Sequence, residues 1–165
     1  MSVKYEWQDD SEALSIAMDV VSSQYAEKFE GIDLSKIRFV RVLDKKTGKA
    51  CRVHSVGFPF NIDNPYLYYI EINDMKWATM TQAQRILLVF RGLYEIAPGG
   101  MDPESANYGK KRKRDVEDFN EVIAVAGGRY DWENTGAVGI HDILASEQVG
   151  NADANTENGE EKTDE

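Results

Sequence analysis

The segment from Thr81 to Ile96 narrows the possible folds more than any other stretch of this chain. It reads TQAQRILLVFRGLYEI, and Ile86, Leu87, Leu88, Val89, Phe90, Leu93 and Tyr94 occupy most of a helical circumference. A helix that is apolar nearly all round has to be enclosed by the rest of the protein. Thr81, with Gln84 three residues later, carries the capping-box pattern of a helix start. Ala97-Pro98-Gly99-Gly100 ends the helix, because proline and paired glycines do not continue one. The remainder of the chain must therefore supply layers that cover it.

The pattern on either side provides them. Ser11 caps a predicted helix running to about Phe29, with Leu14, Ala17, Met18, Val21 and Tyr25 at three- and four-residue steps. Ile37 to Leu43 (IRFVRVL) alternates apolar and basic residues and is predicted to be a strand with one solvent face. After the turn DKKTGK, residues 49–60 are predicted to form a second strand antiparallel to the first, irregular near Gly57 and Pro59. Tyr66 to Ile72 (YLYYIEI) is the most strand-like run. A further helix is predicted from Asp115 to Ala126, with Gly127-Gly128 stopping it and Tyr130 and Trp132 folding back on the core. The expected class is α+β: a small antiparallel or mixed sheet against a buried central helix and flanking helices.

Composition excludes several alternatives. Eight Tyr, six Phe, three Trp and a 42% hydrophobic fraction suffice for a real core. A single cysteine, Cys51, rules out an internal disulfide framework and a Cys-rich zinc site. The start MSVKYEWQDD has no apolar run of signal-peptide length, so a cytoplasmic protein without membrane attachment is expected. From Ala145 to Glu165 seven acidic residues face one lysine, so this segment holds −6 of the net −10 and leaves −4 for the rest. It lacks apolar periodicity, and residues 146–165 are read as a disordered acidic tail after a domain at 1–145.

Two blocks carry a specific resemblance: DMKWATMTQAQRILLVFRGLYEI (Asp74 to Ile96) and RKRDVEDFNEVIAVAGG (Arg112 to Gly128). Together they resemble the signature blocks of the putative phage metallopeptidase family. In that family a Trp precedes a polar helix start, the helix carries His-Glu-x-x-His, and a later segment ends in Asp-hydrophobic-Glu-Glu/Asp-Phe. The resemblance covers roughly residues 5 to 132 and implies a zincin-like fold. Two His four residues apart on a helix hold one zinc, and the Glu between them acts as base on metal-bound water. The matching positions here are Phe90, Arg91 and Tyr94. Phe has no donor atom, and Arg is permanently protonated. Arg114 and Asp115 stand where a third His is expected. The chain has only two histidines, His54 and His141, and a rebuilt zinc site would need both together with a carboxylate. The resemblance thus implies a degenerate member with no metal and no cofactor.

Other residues remain open between two readings. Phe90 and Tyr94 fit core packing better than a ligand patch. Gly92 marks either a close crossing of another backbone or drift after catalysis was lost. His54 reads as an ordinary strand residue and Cys51 as a small core residue. Asp115, Glu117 and Asp118 are either a metal-binding carboxylate cluster or acids that complement a helix N-terminus. Arg91 or Arg114 would replace lost metal charge if its guanidinium paired with the carboxylates left behind. The basic run Lys110, Lys111, Arg112, Lys113 and Arg114 opposes the helix dipole. It is either a solvated loop or a contact for nucleic acid or an acidic protein surface. Tyr66, Tyr68 and Ile70 are placed on a possible edge strand, where a partner could add by strand pairing.

The function these expectations favour is a non-catalytic binding or regulatory protein of phage origin on a metallopeptidase-like scaffold. Its partner would be a host or phage protein, with nucleic acid the alternative through the basic run. An active zinc peptidase with atypical ligands, which would contain zinc, is the second reading. An acidic DNA mimic is the third, weakened by the concentration of charge in one segment.

Overall fold

The computed structural model describes residues 5–57, 59–114, 119–126 and 132–135. Among these, four strands form one mixed sheet in the order β1-β2-β4-β3. They are β1 (Trp7–Asp9), β2 (Ile37–Val42), β3 (Cys51–Ser55) and β4 (Tyr68–Asn73). β1 pairs antiparallel with β2, β2 parallel with β4, and β4 antiparallel with β3. The helices are α1 (Ser11–Val21), α2 (Asp74–Ala78), α3 (Gln82–Tyr94), α4 (Asn120–Val125) and α5 (Trp132–Thr135). Single 3-10 turns at Ala26–Phe29 and Leu34–Lys36 precede β2. The α+β architecture expected from the sequence is the one observed.

The sheet has one covered face. Ile37, Phe39, Tyr68, Ile70, Cys51 and Val53 point to one side and are buried, and α1 and α3 lie over that side. Alternation along a strand puts the intervening residues on the opposite face. The pattern in β2 has an exception with a clear cause. Arg41 falls on the core side and is buried because two acids meet it: Asp10 at 2.6 Å and Asp74 at 3.1 Å. Asp10 also caps α1, accepting from the Ala13 N–H at 3.0 Å, and Asp74 opens α2. One guanidinium therefore holds the starts of two helices at one end of the sheet.

Several expectations need correction. Tyr66, Tyr68 and Ile70 do not mark an edge strand, since β4 lies between β2 and β3 and both its edges are paired. Tyr68 and Ile70 are fully buried. That interior position accounts for the density of apolar and aromatic residues in YLYYIEI. The second strand does not pair with the first, because β4 inserts between them, and it spans only Cys51–Ser55. The first helix is capped by Asp10 instead of Ser11 and ends at Val21. A short strand, β1, was not foreseen. α4 begins at Asn120; the predicted helix start at residues 115–118 lies outside the described residues, as do Tyr130, His141 and the acidic segment 146–165.

Candidate functional site

α3 is the centre of the candidate site, and its start is fixed as its sequence predicts. Thr81 Oγ1 accepts from the Gln84 N–H at 3.3 Å, while Gln84 Oε1 accepts from the Thr81 N–H at 2.7 Å. Gln84 has a second task. Its Nε2 donates to the carbonyls of Trp132 (3.1 Å) and Glu133 (2.8 Å), which fastens α5 to the first turn of α3. Trp132 is fully buried, as the sequence led one to expect.

That attachment sets the surroundings of Arg91. Its Nη1 donates to Glu133 Oε1 at 2.6 Å, a bidentate-capable cation against a carboxylate in a mostly buried place. Arg114 reaches Glu95 at 3.4 Å. Both arginines thus pair with carboxylates, though neither partner was singled out from the sequence. Glu133 lies far along the chain from Arg91, so no local pattern could have marked it.

Phe90 and Tyr94 project in one direction, as residues four apart on a helix do, and their rings stack at 6.3 Å with 18° between planes. Phe90 is fully buried and meets Phe29 edge-on at 4.9 Å and Tyr25 at 5.5 Å. Tyr94 meets Phe119 at 5.4 Å. Arg112 covers the outer side of Tyr94, its guanidinium 4.0 Å from the ring centre and its Nε donating to the Tyr94 carbonyl at 3.0 Å. Phe90, Tyr94, Tyr25, Phe29 and Phe119 thus form one aromatic cluster. Among the described residues, no group of three or more His, Cys, Asp and Glu gathers in a way that could hold a metal. Asp115, Glu117 and Asp118 lie outside those residues.

Gly92 faces the sheet. A Cβ there would lie 3.3 Å from both Cys51 Sγ and Ile70 Cγ2, so side chains of β3 and β4, not a crossing backbone, crowd this position. Gly92→Val is expected to lower the unfolding free energy by about 1–3 kcal/mol through overpacking, despite the better helix propensity of valine. Urea unfolding measures this, and an unchanged midpoint would mean that Cys51 and Ile70 give way. Burial pushes the Cys51 thiol up to about 12, so it is a packing residue and not a nucleophile at neutral pH.

The basic run is largely turned onto the protein itself. Lys111 pairs with Ile96 in a bridge, and its Nζ donates to the Val53 carbonyl at 3.2 Å. Arg112 and Arg114 make the contacts given above, while Lys110 and Lys113 are exposed. The Lys110 carbonyl accepts from the Tyr68 hydroxyl at 2.8 Å, in a setting whose burial pushes that phenol up to about 12. His54 is a half-exposed residue of β3, with Nε2 2.9 Å from Glu71 Oε2. Burial would raise the Glu71 carboxyl, but hydrogen bonds from Lys45 and His54 outweigh it and hold the group below its usual range.

No helix among the described residues is long and apolar enough to cross a membrane. No curated protein and no solved structure matches the chain. A family model, that of the putative phage metallopeptidases, matches residues 5–138 and so takes in the whole sheet, α3 and the segments packed on it. The chain belongs to the putative phage metallopeptidase family.

Proposed function

We propose that this chain is a non-catalytic member of its family, a binding or regulatory protein that keeps the scaffold and has given up the zinc. One observation carries the reading: positions 90, 91 and 94, where the family motif places two zinc-binding His and a Glu, hold a stack of the buried Phe90 on the partly buried Tyr94 and an Arg91–Glu133 ion pair. Phe90 offers no donor atom, Arg91 is a fixed cation, and the Tyr94 ring packs against Phe90, Phe119 and Arg112. This set does not fit a zinc ion, and a guanidinium at position 91 cannot take a proton from water. Arg91 supplies positive charge beside Glu133, which is the electrostatic role a metal would otherwise have there.

Protein purified without an affinity tag is expected to contain well under one zinc per chain by elemental analysis. A chelator is expected to leave its thermal midpoint unchanged. Stoichiometric zinc, lost together with stability on chelation, would instead favour a peptidase with atypical ligands. Fold kinship alone does not decide between these, since function resides in the site.

A further inference from the structure

The sheet face turned away from α1 and α3 carries side chains that the family motif does not use. Trp7, Val40, Val42, Tyr69 and Glu71 face this side, and with Tyr5, Arg38, Lys45 and His54 they line an open groove of about 570 Å3. Trp7 is 54% exposed, whereas Trp77 and Trp132 are buried. The Arg38 guanidinium lies over the Trp7 ring at 4.9 Å and over the Tyr66 ring at 5.7 Å, and Lys45 lies 5.6 Å from the Tyr5 ring. His54 also borders a second groove, of about 320 Å3, that runs beside β3. Lys49, Arg52, Lys111 and Arg114 line it, with Glu95 the one acid there among the described residues. Tertiary folding thus brings part of the basic run beside Lys49 and the β3 residue Arg52, far from it in sequence.

Among the described residues the two grooves are lined by six cations (Arg38, Lys45, Lys49, Arg52, Lys111, Arg114) and two carboxylates, Glu71 and Glu95, and Arg38 is also paired with Asp9 at 2.8 Å. This is the reverse of a chain whose net charge is −10. We infer that the open face of the sheet, continued around β3 into the cationic groove, binds a single-stranded nucleic acid, with bases against the rings at one end and phosphates against the cations at the other. Aromatic side chains accept any unstacked base, and a cationic channel tracks the backbone. Two observations count against an added peptide strand. Lys111 Nζ already occupies the Val53 carbonyl on β3, and the opposite edge, β1, is only three residues long. A duplex fits poorly, because its bases are stacked on each other and not available to Trp7.

The inference rests on the reading of this chain as a binding protein and names its partner class. Its test uses the full chain and a fluorescent oligothymidylate of about 12 nucleotides. Expected are saturable binding followed by anisotropy, quenching of the intrinsic fluorescence of Trp7, and an affinity that falls steeply with salt. Trp7→Ala is expected to weaken binding about tenfold or more without moving the thermal midpoint, since the side chain is more than half exposed. Trp7→Phe should retain the affinity and lose the quench. Joint Lys49→Ala and Arg52→Ala substitution should weaken binding and flatten its salt dependence. Equal affinity for a duplex or for polyglutamate, or an undiminished affinity in Trp7→Ala, would overturn the inference, as would no binding at all. Such a result from a zinc-free protein leaves the non-catalytic reading standing, whereas stoichiometric zinc would defeat that reading whatever the oligonucleotide does.

Discussion

The combined substitution Phe90→His, Arg91→Glu and Tyr94→His is expected to lower the unfolding free energy by about 3 kcal/mol or more and to create a cobalt or zinc site that the wild type lacks. The loss has three sources. Phe90 is fully buried among Tyr25, Phe29 and Tyr94, so an imidazole there leaves unfilled volume and a polar ring among aromatics. Tyr94→His removes a ring that Phe119 and Arg112 both contact. Arg91→Glu puts a second carboxylate opposite Glu133 where a guanidinium now sits at 2.6 Å. The gain follows from geometry: positions 90 and 94 already project the same way from α3, as their stacked rings record. Metal binding to the folded state alone should then recover part of the stability. Proteolysis is not expected to return, because the outer groups that orient ligands are not restored by these changes. Cobalt absorption and urea unfolding with and without zinc measure both effects. A triple variant that binds cobalt no better than the wild type would show that the motif has been placed on the wrong residues.

Arg41→Met should be comparably costly, at about 3–5 kcal/mol. Arg41 and Asp10 have side chains only 9% and 3% exposed, so removing the guanidinium leaves a carboxylate buried without its counter-ion. Asp74 loses a partner at the same time, and Trp77 loses a cation 4.5 Å from its ring centre. Because Asp10 caps α1 and Asp74 opens α2, the damage reaches both helices. Arg41→Lys should recover only part of the loss, since an ammonium cannot serve Asp10 and Asp74 with one planar fork. The comparison is with Arg38→Met, whose partner Asp9 is 70% exposed; solvent-screened pairs of that kind contribute little. Equal urea midpoints for Arg38→Met and Arg41→Met would refute the role assigned to the Arg41 cluster.

What the sequence determined by itself is local. The capping box at Thr81 and Gln84, the buried character of α3 and the end of that helix before Pro98 depend on residues within one or two turns of each other. They are observed as read. Trp132 on the core also agrees with the sequence reading. Strand order did not follow from the sequence, because period-two alternation says which face a residue takes and nothing about which strand lies alongside. Tyr66, Tyr68 and Ile70 therefore looked like an edge and belong instead to, or beside, an interior strand. The same holds for Arg41, whose burial depends on Asp10 and Asp74, distant in the chain and joined only by folding. It holds for Glu133, brought to Arg91 by the side chain of Gln84. And it holds for the basic run, which is a linear cluster in the sequence but becomes a groove only where Lys111 and Arg114 meet Lys49 and Arg52. Caps and periodicity act within a few residues, so the sequence determines them; ion pairs and grooves are set by contacts between distant segments, which only the tertiary structure decides.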